Sequence, residues 1–298
     1  MADCWGTATL LAQCREDGKW HPYGEHLKGN TVEPMRHLCQ PETVNSIICG
    51  RRPRYRRPVF PHFSYSGVQQ WPWLSTLFRN FTYACTATII SQDFMITAAH
   101  CVTTSEVSRK IVDKRGLTVQ YLSDDGRVRS SYLTEVHIHP SYMGGSRPGK
   151  DIALLKLERP VTFSHKVVPA CLGTESFPEA SIAATFNHSG GNETHWNVIL
   201  QQYDQRCQIP QDRCQTLDID TDQFCAIDIG GLSFLPKGAS GGPFLVNLGN
   251  DVKEEWTVEG IVSAASGVYL CKRPFTIFSR VSDFWPWIRN CVHNAVCS

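Results

Sequence analysis

The sequence predicts an all-β protein, and three observations carry that prediction. After residue 60, eight short runs rich in β-branched, aromatic and aliphatic residues follow one another, separated by turn-forming residues. Almost no stretch shows the 3.6-residue period of an amphipathic helix. Thirteen cysteines are spread over 298 residues without a Cys-x-x-Cys pair, which points to a disulfide framework made in an oxidising compartment rather than to zinc sites.

Residues 1–48 carry Cys4, Cys14 and Cys39 but little periodic apolar pattern, so they are expected to form a small module held by bridges rather than by a core. The string Cys14-Arg-Glu-Asp-Gly-Lys-Trp20 resembles the closing part of a complement-control (sushi) module. A cystine-stapled leader with no binding role is the plainer alternative. The start, Met1-Ala-Asp-Cys4, is not cationic, and the apolar run Ala8 to Ala12 is too short for a signal peptide. The cysteines therefore imply that an upstream secretion signal is missing from this chain. Residues 49–59 contain Arg51, Arg52, Pro53, Arg54, Arg56, Arg57 and Pro58, a basic and proline-rich linker that cannot pack as a helix or central strand.

Residues 60–298 form the main domain. Its expected strands are Ala84 to Ile90, Phe94 to Ala98, Leu117 to Leu122, Ile152 to Leu157, Val198 to Gln202, Pro243 to Val246, Trp256 to Val262 and Thr276 to Val281. Only Asp283 to Asn294 places Phe284, Trp285, Trp287 and Ile288 at spacings that suit a C-terminal amphipathic helix. Hydrophobic residues at 42% and charged ones at 19% describe a globular chain with a sizeable core. A net charge of +1 offers no footprint for nucleic acid or an anionic membrane. No run approaches the 18 or more apolar residues of a membrane span. Asn80-Phe-Thr, Asn187-His-Ser and Asn192-Glu-Thr are N-glycosylation acceptors if the chain is secreted.

Three strings carry chemistry in combination. Thr97-Ala-Ala-His100-Cys101 sets a histidine after an apolar strand, Asp151-Ile-Ala-Leu-Leu-Lys156 opens a strand with an acid, and Gly238-Ala-Ser240-Gly-Gly-Pro243 is a glycine-rich turn. Singly each has a bland reading: a satisfied half-buried histidine, a turn cap, an ordinary turn. Jointly they offer the parts of a serine peptidase. These are a hydroxyl, an imidazole to take its proton, an acid to hold the imidazole, and backbone N–H groups for the oxyanion.

The order His, Asp, Ser and the strings around each resemble the chymotrypsin- and trypsin-like serine proteases, over about residues 60–298. The resemblance implies two six-stranded antiparallel β-barrels with a C-terminal helix. It implies His100 as general base, Asp151 as its orienting acid, Ser240 as nucleophile, and the N–H groups of Gly238 and Ser240 as the oxyanion hole. Ser263, in Gly260-Ile-Val-Ser-Ala264-Ala265, matches a serine near the buried acid. The resemblance also implies bridges Cys85–Cys101 and Cys49–Cys171, and Cys225 with either Cys207 or Cys214. Cys271 has lost its usual partner position to Pro236, leaving it free or rerouted to Cys291 or Cys297.

The chain also departs from the pattern. Ala239 stands where the family has an aspartate that pairs with the α-amino group freed by zymogen cleavage, and Val59-Phe-Pro-His62 replaces the usual start of the cleaved chain. Losing both partners of a buried ion pair can be nearly neutral, so folding is expected to survive while the oxyanion loop is either a non-standard, cleavage-independent active one or permanently zymogen-like. Phe234 falls at the pocket base in place of an aspartate, with Ser263, Ala264 and Ala265 along the wall and Phe275 or Thr276 opposite. That composition argues against an arginine-directed specificity.

A sushi-like module ahead of such a domain resembles the modular initiator proteases of arthropod humoral cascades. Two functions compete: a secreted endopeptidase of an extracellular immune or developmental cascade, activated in a non-standard way, and a catalytically impaired homologue that serves as a binding scaffold or cofactor. A recognition protein working through residues 1–48 is a third. Protein substrates are the implied partners, with macromolecular inhibitors or upstream recognition proteins beside them, and no cofactor or metal is implied.

Overall fold

The computed structural model describes residues 12–14, 20–22, 49–52, 63–105, 108–145, 149–164, 166–173, 181–186, 197–204, 220–228, 235–236, 238–249, 254–270, 273–294 and 296–297. Near the N-terminus, β1 (Ala12–Cys14) and β2 (Trp20–Pro22) form a two-stranded antiparallel ladder with Cys14 opposite Trp20. The other strands are β3 (Phe63–Gly67), β4 (Leu74–Arg79), β5 (Thr82–Ile89), β6 (Phe94–Thr97), β7 (Leu117–Leu122), β8 (Val128–Ile138) and β9 (Ala153–Leu157). They continue with β10 (Cys171–Leu172), β11 (Ser181–Phe186), β12 (Asn197–Asp204), β13 (Gln223–Asp228), β14 (Pro243–Asn247), β15 (Trp256–Leu270) and β16 (Arg273–Arg280), and end in the helix α1 (Trp285–Asn294).

Strands β4 to β9 close a six-stranded barrel in the order β4-β5-β6-β9-β8-β7. Closure removes free edges, and the side chains say which face turns inward. Leu117, Val119 and Tyr121 alternate buried with half-buried neighbours along β7, whereas β6 is buried throughout. The second body is an eight-stranded sheet running β10-β15-β14-β11-β12-β13-β16, with β3 added beside β12. Because β15 also pairs with β16, the six strands β15, β14, β11, β12, β13 and β16 return on themselves, leaving β3 and β10 outside the ring.

The expected runs all fall within or against observed strands, while β1, β2, β3, β4, β8, β10, β11 and β13 are not among them. For β8 the reason is exposure: it begins with three exposed residues and is at most half-buried beyond Leu133, so it lacks an apolar signature. The main core spans both bodies, from Trp71, Trp73 and Leu77 to Val258, Ile261 and Ile288. Trp71 meets Trp73 and Trp256 edge-on at 6.0 and 5.0 Å, a geometry that suits ring quadrupoles.

Three disulfides lie among the described residues: Cys49–Cys171, Cys85–Cys101 and Cys291–Cys297. The last corrects the idea that Cys271 is rerouted to Cys291 or Cys297, because those two are joined to each other across the end of α1. Cys225 is buried on β13, and its candidate partners Cys207 and Cys214, like Cys271 itself, lie outside the described residues. No described helix is long and apolar enough to cross a membrane.

Candidate active site

His100 is placed by the end of β6. The strand delivers buried Thr97 and Ala98, a short 3-10 turn spans Ala99–Cys101, and the Cys85–Cys101 bridge ties that turn to β5. Asp151 lies just before β9, the strand that pairs with β6 with Thr97 opposite Ala153, and is fully buried. A buried carboxylate must be satisfied, and this one is. Its Oδ1 accepts from the His100 backbone N–H at 2.9 Å, and its Oδ2 lies 2.7 Å from His100 Nδ1 and accepts the Ser263 hydroxyl at 2.6 Å. Ser279 Oγ donates to the Asp151 carbonyl at 3.0 Å.

An ionised carboxylate only accepts, so Nδ1 of a neutral His100 carries the proton and Nε2 keeps its lone pair. That tautomer can take a proton from a nucleophile and return it to a leaving group.

Ser240 sits in the turn between Gly238 and β14. Its carbonyl accepts from Thr86 N–H at 2.9 Å, Gly241 N–H donates to the Val262 carbonyl at 2.8 Å, and Val262 N–H returns a bond to Gly242 at 2.9 Å. Gly241, with φ of +78°, lies so close to Thr97 and Thr86 that a Cβ there would overlap both. The serine turn is thereby wedged between β5, the residues leading to His100, and the β15 residue preceding Ser263. Three distant stretches meet here.

Gly238 has φ of +88°, and Ala239 N–H donates to the Pro236 carbonyl at 3.0 Å, which closes the turn just ahead of Ser240. The Gly238 carbonyl accepts two side-chain hydroxyls from β5, Tyr83 at 2.8 Å and Thr86 at 3.0 Å. Ala239 is buried in an apolar cluster with Leu235, Phe244, Val262 and Phe278. Tyr83 and Thr86 had no signature in the sequence beyond strand alternation.

Two more contributors were equally silent. Lys150, at φ of +60°, is pinned by Asp222, which accepts from its backbone N–H at 2.7 Å and from Nζ at 2.5 Å. The ion pair raises the lysine's affinity for its proton and fixes the backbone entering Asp151. Of the pocket residues, Ser263 is buried against Asp151 and Ala264 is half-buried on β15 after a bulge. Ala265 lies opposite Thr276, while Phe275 and Thr276 are themselves buried on β16. Phe234, Asn187 and Asn192 lie outside the described residues. Asn80 is exposed on the two-residue β4–β5 turn, where it and Phe81 both have positive φ, as a type I′ hairpin requires.

Comparison with known proteins adds a family. The chain is 28% identical over 272 residues to Clotting factor C of Tachypleus tridentatus, a match that covers 81% of this chain and 26% of that protein. Limulus clotting factor C of Carcinoscorpius rotundicauda gives the same identity and the same coverage. The chain therefore spans about a quarter of the length of these relatives. The family model described as Trypsin matches residues 65–288, from β3 into the C-terminal helix and well over half of the sequence: the chain belongs to the trypsin family of serine proteases.

Proposed function

We propose that this domain is a serine endopeptidase that cuts protein substrates through an acyl-enzyme at Ser240. One observation carries the reading: His100 is held by a buried Asp151 through both its backbone and its ring, with Ser263 completing the carboxylate's partners. Such a carboxylate fixes the tautomer and stabilises the imidazolium that forms in the reaction.

Ser240 Oγ attacks the scissile carbonyl as His100 Nε2 takes its proton. The oxyanion is received by the N–H groups of Gly238 and Ser240. His100 then protonates the departing amine, and water repeats the sequence to release the acyl group. Ala239 is buried and carries no carboxylate, which favours a non-standard activation that needs no ammonium there.

Disulfides favour a secreted protein, and exposed Asn80 is then a reachable glycan acceptor, with Asn187 and Asn192 as further candidates. Similarity to clotting factors supports a place in an extracellular proteolytic cascade, with inhibitors and upstream recognition proteins as partners. Phe234, Ala264 and Ala265 as pocket residues favour uncharged over cationic side chains at the cleavage site.

The test is covalent labelling of the purified chain by a fluorophosphonate probe. Labelling is expected in the wild type and absent in Ser240→Ala. A wild type that stays unlabelled before and after limited proteolysis would leave the scaffold reading in its place.

A further inference from the structure

The turn that carries Ser240 must hold its N–H groups still while charge develops on the substrate, because preorganised donors are what make an oxyanion site effective. The side chain at position 239 supplies nothing polar for this, since it is a buried methyl group. The polar support comes from the other barrel. Tyr83 and Thr86, both on β5, donate to the same Gly238 carbonyl at 2.8 and 3.0 Å, and their oxygens lie 3.2 Å from each other. Gly238 approaches the tyrosine so closely that a Cβ would overlap the ring.

We propose that Tyr83, assisted by Thr86, is the positioning residue that holds the Gly238–Ser240 turn in shape for an oxyanion, a task performed here by neutral hydroxyls of the first barrel and not by a charge at position 239. This rests on the hydrolase reading above. Two donors on one carbonyl fix the plane of the peptide that follows Gly238. With the Ala239-to-Pro236 bond and the Thr86-to-Ser240 bond, the turn is held at Pro236, Gly238 and Ser240. None of these contacts involves an ionised group, so the support is indifferent to whether a new chain terminus has been made. Burial raises the Tyr83 phenol well above its ordinary value, which keeps it a proton donor.

The experiment compares wild type, Tyr83→Phe and Tyr132→Phe in the full chain, the last being a control at an exposed tyrosine. Two quantities are read: the kinetics of fluorophosphonate labelling, and hydrogen–deuterium exchange over residues 236–242. For Tyr83→Phe the first-order labelling step is expected to slow about 10-fold with probe affinity unchanged. That is short of the ~100- to 1,000-fold typical of deleting an oxyanion donor outright. Exchange of the 236–242 segment should quicken while the remaining strands keep wild-type protection. If the wild type does not label but exchange quickens locally in Tyr83→Phe, the support role stands and the hydrolase reading falls. Wild-type exchange in Tyr83→Phe overturns the proposal, as does an undiminished labelling rate. Exchange raised evenly across the first barrel also overturns it, since the tyrosine would then be ordinary packing.

Discussion

Ala239 is 2% exposed and packs among Ala183, Ala226, Leu235, Phe244, Val246, Val262 and Phe278. Burial against these apolar side chains suits a methyl group better than an unpaired carboxylate. Restoring the family's aspartate with Ala239→Asp should therefore harm the protein, because the new charge would be buried without a partner. A loss of about 3–5 kcal/mol is expected, the range found when one member of a buried pair is left alone. Urea denaturation checks this. An unchanged midpoint would mean that the variant finds a cation, and that the cluster is less closed than its packing indicates. The same apolar surroundings explain why the sequence could flag Ala239 as a departure but could not name Tyr83 and Thr86 as its replacement. Their role exists only because β5 passes the Gly238 carbonyl.

Helix α1 shows how one element is fastened to the fold. Trp287 and Ile288 are buried, Trp287 Nε1 donates to the Cys297 carbonyl at 3.2 Å, and Cys291–Cys297 closes the end. The inner face meets His139, whose ring lies edge-on to Phe284 and Trp287 at 5.1 and 5.2 Å. Burial lowers the pKa of His139; Asp222 opposes the shift and Lys150 reinforces it more weakly. Its Nδ1 accepts from Ser141 N–H at 3.2 Å, as the neutral ring must. The unfolded chain thus binds this proton more readily than the folded one. Stability should be unaffected above the unfolded value of about 6.5, fall as the pH drops below it, and level off once the pH passes the lower folded value. Thermal midpoints between pH 8 and 5 should show this slope in the wild type and a shallower one in His139→Gln. Equal slopes would assign the acid sensitivity elsewhere.

Across the molecule, the segment just before the protease domain is bound to the second sheet by more than its disulfide. Beside Cys49–Cys171, Gly50 N–H donates to the Pro169 carbonyl and the Gly50 carbonyl accepts from Trp256 N–H. Its φ of +70° and the nearness of the Trp256 backbone leave no room for a side chain. Arg52 then lies 4.7 Å from the Trp71 ring and 5.0 Å from that of Trp256, and makes two bonds to Glu254 at 2.7 and 2.6 Å. With only 7% of its side chain exposed, this arginine works in a desolvated setting where cation–π and charge-assisted bonds are strong. Arg52→Ala should cost about 2–3 kcal/mol in chemical denaturation. A loss below the error of the measurement would reduce the contact to a surface ornament. In sequence Arg52 looked like one of several linker arginines, for charge runs usually stay in solvent. Only its distance from two tryptophans more than a turn or two away in the chain sets it apart.

The His100–Asp151 pair, the Cys85–Cys101 and Cys49–Cys171 bridges, the β-rich class and the C-terminal helix were legible because each is written in short local strings whose chemistry or period can be recognised. Strands such as β8, the Tyr83–Thr86 support, the Lys150–Asp222 clasp and the Arg52 anchor were not. They are made of ordinary residues whose meaning lies in a partner tens to hundreds of positions distant. Local pattern reports what a segment can become; hydrogen bonds and burial between remote segments depend on which surfaces the closed barrel and its companion sheet bring within 3 Å of one another.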